Sequence, residues 1–195
     1  MPATSLGGFD PMSNFPADLT GTWDIDPVHS TVGFAVKHAV VATTRGRFTE
    51  FTGGATIDAT APENSRAWLD IDASSVNTGN ETRDNHLRSA DFWDAENTKT
   101  ITYRTTGARV DGDKVVTSGD LTIAGKAHPV DITWEFGGIA TDPFGVTKAG
   151  FEGTATLNRK DWGITWNAPL EGGGFLISDT VKLVLEIEAG KKTDA

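Results

Sequence analysis

Apolar residues recur at every second position over long stretches of this chain, and that period decides what it can fold into. Val32, Phe34, Val36 and His38 fall on one face of an extended segment, and Thr31, Gly33, Ala35 and Lys37 on the other. Ala67, Leu69, Ile71 and Ala73 alternate with Trp68, Asp70 and Asp72, and Ile101 and Tyr103 with Thr100, Thr102 and Arg104. Leu121 and Ile123 alternate with Asp120 and Thr122, and Val130, Ile132, Trp134 and Phe136 with Asp131, Thr133 and Glu135. The pattern continues through Ala149, Phe151, Ala155 and Leu157, and again through Val181, Leu183, Leu185 and Ile187. A helical period would scatter these residues around a cylinder, whereas a strand puts each set on one side of a sheet. So many one-sided strands must cover one another, as a sandwich or a barrel does, and a barrel also removes the exposed edges. Long segments such as Thr180 to Glu188 favour the barrel. The expected fold class is therefore all-β: one antiparallel closed barrel with one or two short helices.

Turn chemistry punctuates the strands. Asp111-Gly112 suits a tight hairpin, and Gly53-Gly54, Ala124-Gly125 and Asp142-Pro143 are read as further reversals. Thr78-Gly79-Asn80-Glu81 reads as a capping box opening a short helix over Thr82 to Arg88. A second short helix is expected over Ala39 to Thr44. Residues 1–18 are read as a flexible arm, 19–190 as the barrel domain and 191–195 as a frayed tail.

Composition removes several functions. The chain has no cysteine, which excludes disulfides, thiol nucleophiles and thiolate metal sites. Its net charge of −10 opposes nucleic acids and anionic surfaces, and no basic run offsets it. No stretch has the length and apolarity of a membrane-spanning helix, and no secretory signal is recognisable. The expected location is cytoplasmic.

Few residues offer chemistry. Asp26, His29 and Ser30 are the residue types of a hydrolase triad, but His29 and Ser30 are neighbours that point to opposite faces, and no nucleophile elbow is present. They are read as a turn in which Asp26 and Ser30 bond local backbone. His29, His38, His86 and His128 lack metal-site spacing, so neither a metal nor a cofactor is expected. Gly172-Gly173-Gly174 lacks the residues of a phosphate loop and reads as a loop before the last strand, able to cover a barrel mouth. The cluster from Arg83 to Arg88 reads either as a solvated helix, with Asp84 paired to Arg88, or as a polar rim that meets a ligand head group. His38 lies on an apolar face, as a structural residue or as a polar contact inside a cavity.

Several ordered motifs resemble the YceI-like proteins. They are Trp23 to Ser30 with Phe34 and His38 downstream, Gly46-Arg47-Phe48, Asn77-Thr78 through Arg83 to Trp93, Gly119 to Gly125, Asp161 to Ile164, and Ile177-Ser178-Asp179 with Val181 and Leu183. The resemblance implies a lipocalin-like barrel with an elongated apolar cavity that binds a long-chain isoprenoid, an isoprenoid quinone or a similar lipid for sequestration or transport. It allows a homodimer and carries over no catalytic residue. Many members are periplasmic, with a signal peptide that is not found here. The candidate ligand contacts are Phe34, Val36, His38, Leu69, Ile71, Arg83, His86, Leu87, Phe92, Trp93, Tyr103, Trp134, Phe151 and Leu183. The alternatives are an enzyme acting on such a lipid through His38 or His86, and an interaction module whose barrel is filled by its own side chains.

Overall fold

The structure, a computed structural model, describes residues 15–193. Its strands are β1 (Gly21–Ile25), β2 (Thr31–His38), β3 (Ala42–Phe48), β4 (Phe51–Ile57), β5 (Arg66–Asp72) and β6 (Val76–Asn77). A helix, α1 (Glu81–Arg88), follows, and then β7 (Thr100–Asp111), β8 (Lys114–Ile123), β9 (Lys126–Thr141), β10 (Thr147–Asn158) and β11 (Ile177–Lys191).

All pairings are antiparallel. β11 runs along β2 from Ile177 to Glu186, then along β1 from Ala189 to Lys191. β1 and β2 thus form one strand interrupted by a kink. β3 with β4, and β5 with β6, behave in the same way, because β3 pairs with β2 and β6 while β4 pairs with β1 and β5. Counted so, the sheet is an eight-stranded meander whose last strand returns to its first. Closure satisfies the backbone that an open sheet would leave exposed at its edges.

Each kink is stitched by side chains standing in for lost ladder bonds. Ser30 Oγ donates to the Glu188 carbonyl and accepts from the Glu188 N–H. Ser75 Oγ accepts from the Glu50 N–H, and Thr49 N–H donates to the Ser75 carbonyl. The expectation that Ser30 bonds only local backbone is thereby corrected, since its partner lies 158 residues away. Asp26 does cap its own turn, accepting from the Val28 N–H.

Four further expectations need correction. Residues 39–41 form the tight turn between β2 and β3, not a helix, because Val36, His38, Ala42 and Thr44 stay in ladder register. Gly53-Gly54 is not a reversal but the middle of β4. A Cβ on Gly53 would sit 2.8 Å from the Trp68 carbonyl oxygen, and one on Gly54 2.7 Å from that of Trp23, so the glycines there permit close strand approach. The N-cap of α1 is Asn80, whose Oδ1 accepts from the Arg83 N–H, while Thr78 Oγ1 donates to Asp84. Asp84 is buried on that bond and does not pair with Arg88, whose guanidinium donates to Ser74 O, Val76 O and Asn85 Oδ1. The remaining turn readings match: Ala124-Gly125 is a left-handed two-residue turn, Gly112 takes φ 64°, and Asp142-Pro143 opens the β9–β10 turn.

Most of the expected arm, residues 1–14, lies outside the described residues, as do 194–195. Residues 15–18 belong to the folded body: Ala17–Leu19 form a 3-10 turn, and the Phe15 ring packs on Phe136 at 6.2 Å. Lys191 ends β11, and the Lys192 N–H bonds the Thr22 carbonyl. Among the described residues no helix is long and apolar enough to cross a membrane.

Candidate functional site

The inward faces of the strands do not meet. They enclose a cavity of about 790 Å³ with an almost wholly apolar wall. This lies within the roughly 300–1,000 Å³ of small-molecule sites and overturns the filled-barrel alternative. Every candidate contact read from the sequence borders it. Phe34 and Val36 come from β2, Leu69 and Ile71 from β5, Tyr103 from β7, Trp134 from β9, Phe151 from β10 and Leu183 from β11. Arg83, His86 and Leu87 come from α1, and Phe92 and Trp93 from the turn after it. His38 lies exposed at the rim, at the end of β2.

Large rings fit inside an eight-stranded barrel because glycines face them. Gly46 pairs with Phe34 and Gly153 with Trp134, and a Cβ on either glycine would run into the opposing ring. Tyr103 lies over Gly119 in the same way. The wall is therefore lined by aromatic faces laid flat against neighbouring backbone, which leaves the axis open. The polar spot around Tyr103 is self-satisfied. The Tyr103 hydroxyl lies 3.2 Å from the carbonyl oxygens of Thr117 and Val130, and Trp134 Nε1 donates to Thr117 Oγ1 at 2.9 Å. Burial raises the Tyr103 pKa, so the hydroxyl stays a neutral donor.

The two ends of the cavity are built differently. At one end α1 and the segment after β10 bring aromatic rings together. His86 meets Trp166 edge-on at 4.5 Å and Phe92 at 5.1 Å, and its Nε2 lies 2.9 Å from Asp91. Trp93 meets Phe34 at 5.6 Å and Phe48 at 5.2 Å. The cations of α1 are committed to protein. Arg83 donates to the hydroxyl and carbonyl of Thr78, and Arg88 to its three partners above. Arg159, buried, donates to the carbonyls of Ser178, Ile164 and Trp166, which fastens the loop before β11 to the barrel. The other end is floored by Phe15, Leu19, Trp23 and Ala59. Trp23 is fully buried, and its Nε1 donates to the Leu19 carbonyl.

Sequence reading missed Phe15, Trp23, Thr117, Arg159 and Trp166 as wall or support residues. Arg159 and Trp166 lie in a segment without alternation, where the period carries no signal. Thr117 points inward on the same alternation of β8 as Leu121 and Ile123, but as a polar residue it does not show in an apolar period.

One cluster lies outside the cavity. His29 Nδ1 is 3.0 Å from Asp26 Oδ2, and Asp26, His29 and Glu188 bring three ligand-type atoms within 4.8 Å of one another, a convergence the histidine spacing did not announce. The Lys148 ammonium already sits 2.9 Å from Asp26 and 3.3 Å from Glu188, answering their charge. The hydrogen bonds from His29 and Lys148 hold the Asp26 carboxyl far below the usual carboxylate range, and Asp26 in turn raises the His29 pKa.

Residues 23–189 match the family described as YceI-like domain. A UPF0312 protein of Pseudomonas aeruginosa is 38% identical over 141 residues, covering 72% of this chain and 74% of its own. The crystal structure of a Campylobacter jejuni YCEI protein superposes with a TM-score of 0.67 at 29% identity, over 80% of this chain and 90% of that one. A polyisoprenoid binding domain from Saccharophagus degradans, described as implicated in plant cell wall breakdown, superposes with a TM-score of 0.65 at 18% identity, over 87% and 98% of the two chains.

Proposed function

This chain belongs to the YceI-like family, and we propose that it binds one long-chain, largely apolar lipid of the isoprenoid or isoprenoid-quinone type inside the barrel, for sequestration or transport. The observation that carries the reading is the cavity itself: about 790 Å³ of space walled by aromatic and aliphatic side chains. Burying each CH₂ contributes about 0.8 kcal/mol, so a ~20-carbon chain gains on the order of 16 kcal/mol gross. Association costs roughly 4–15 kcal/mol, which leaves room for tight binding by apolar burial alone. The polyisoprenoid named for the Saccharophagus degradans domain fits the same chemistry.

The polar groups bear on the head. Arg88 uses all three guanidinium nitrogens and Arg83 two of its three within this chain, so a pyrophosphate on α1 would compete with bonds already made. A neutral quinone, alcohol or amide head needs no guanidinium. The reading is that of a binding protein and asks no turnover of His38 or His86.

Native mass spectrometry of gently purified protein, with organic extraction, tests it. The expected result is a bound lipid with a chain of isoprenoid length, its occupancy reduced in Leu183→Trp, which narrows the cavity from β11 while the barrel still melts cooperatively. Added prenyl lipid should also shift the emission of the six tryptophans. An empty protein whose fluorescence ignores prenyl lipids would overturn the reading.

A further inference from the structure

The turn between β2 and β3 carries Val40 and Val41, 76% and 86% exposed. The loop before β11 carries Phe175, 62% exposed. The two are one patch, because the Ala39 N–H donates to the Leu176 carbonyl at 2.7 Å. The patch borders the cavity, whose wall includes His38, Leu176 and Ile177. Apolar tips this exposed at the mouth of an apolar cavity mark a docking surface.

The backbone adds a second observation. Ala39 and Val40 sit at φ 48° and 67°, the left-handed region that suits Gly or Asn and disfavours a β-branched residue. A turn selected only for folding would place Asn or Gly there. Valine stands there against the local preference, as expected where the side chain is wanted in solvent for contact.

Charge identifies the partner. On the outward face just below the tips, Lys37, Arg45, Arg47 and Lys182 are all exposed, and none has an ion-pair partner among the described residues. Register puts Arg45 and Lys182 on either side of Ala35, with Lys37 and Arg47 one outward position away. Asp179 nearby is already paired with Lys160 and Arg159, and Glu171 is the acid of the adjoining loop. Farther along the same face the sign reverses, where Glu152 and Glu186 are cross-strand partners. The net charge of −10 opposes anionic surfaces as a whole, but on the outer face of β3, β2 and β11 beside the mouth it gives way to a local cationic patch.

We propose that this end docks on an anionic phospholipid bilayer, Val40, Val41 and Phe175 entering the interface while Lys37, Arg45, Arg47 and Lys182 face the headgroup phosphates. Apolar tips buried shallowly in the headgroup region with cations behind them are the physics of peripheral membrane attachment. Docking there would open the cavity to lipid without crossing water. The idea extends the lipid-carrier reading but is measured apart from it, since attachment to vesicles needs no loaded cavity.

Flotation of the full chain with phosphatidylcholine–phosphatidylglycerol vesicles, against pure phosphatidylcholine, tests the proposal. Wild type should float with the mixed vesicles and about tenfold less with the neutral ones. Val40→Asn with Val41→Ser and Phe175→Ser should cut attachment at least about tenfold, although Asn at 40 relieves the strained turn and should hold or raise the melting temperature. Arg45→Glu with Lys182→Glu should abolish the preference for the mixed vesicles. Phe144→Ser is the control, since Phe144 is 91% exposed on the β9–β10 turn at the opposite end. If the triple variant fails to fold, Val41→Ser alone decides. The proposal falls if wild type does not float, if Phe144→Ser costs as much as the tip variant, or if the tip variant floats normally and instead loses self-association.

Discussion

The two ends of this barrel are made from the same alternating strands, yet they treat the cavity between them differently. At the Trp23 end large side chains close across the cavity, and Phe144, the ring left outside on the β9–β10 turn, borders no cavity wall. Trp23 is fully buried, Leu19 nearly so, and Ala149 and Ala189 supply small residues against which the indole lies. At the α1 end, Val40, Val41 and Phe175 point out, the rings of His86, Phe92 and Trp166 meet edge-on or tilted at the rim, and the cations of the outer face have no ion-pair partner among the described residues. One end is built as a floor and the other as a mouth. A closed barrel supplies the wall by period alone, while direction along its axis comes from what the connections contribute.

The largest expected effect lies in the floor. Trp23→Ala removes a fully buried indole and its bond to Leu19, and should cost about 3–5 kcal/mol of stability, read by denaturant unfolding. Trp166→Ala at the mouth removes a half-buried ring and should cost about 1–2 kcal/mol, with its main effect on extractable lipid. Equal destabilisation at the two sites would erase the distinction between floor and mouth.

That distinction also marks how far the sequence could be read. The wall was legible because burial on one face imposes a period of two, and β2, β5, β7, β8, β9, β10 and β11 all contain runs picked out by alternation. β3 and β4 were not. Thr43, Arg45 and Arg47 face water while Thr44 and Gly46 face in, so β3 has little apolar contrast to detect. Gly53-Gly54 imitates a turn because glycine serves both reversals and close strand approach. The candidate contacts were legible for the same reason as the wall, since inward residues of a hollow barrel are its lining. The floor and the support under the mouth were not. Phe15 and Trp23 act through a 3-10 turn, and Arg159 through three carbonyls of an aperiodic loop, neither of which leaves a period. That the barrel is hollow was not in the alternation at all. It depends on glycines such as Gly46 and Gly153, which let Phe34 and Trp134 lie against the wall.

The next effect in size tests whether the mouth is held in place from behind. Arg159→Met keeps the volume but leaves the carbonyls of Ser178, Ile164 and Trp166 without their donor. The Ile164 carbonyl is the fully buried one, and leaving it unpaired costs about 1–3 kcal/mol, while the other two are partly open to water. Hydrogen exchange should rise across residues 164–178 and stay unchanged in β1 and β4. Uniform loosening would mean that the loop is not a separately anchored part of the mouth.

The smallest effect belongs to the stitch between β1 and β11, where His29 bridges toward Asp26 and Glu188 beside Lys148. The His29 pKa is raised first by its hydrogen bond to Asp26 and then by the charges of Asp26 and Glu188. A raised histidine stabilises the fold fully below its unfolded value of about 6.5, and that contribution fades as pH climbs through the higher folded value. Asp26 has the opposite sign: its lowered pKa stabilises above about 3.9 and is lost on acidification. Both contributions are therefore complete between about pH 4 and 6.5. Because the His29 imidazole is largely exposed, solvent screens the pair and the change in melting temperature should be slight. The sharper measurement is an NMR titration of the imidazole. His29 should titrate above the ordinary histidine value, Asp26→Asn should bring it down, and Lys148→Met should move it further up by removing a neighbouring cation. An unshifted His29 would mean that Asp26 answers only to Lys148, leaving this kink held by Ser30 and the two ion pairs of Lys148 and no more sensitive to pH than the rest of the wall.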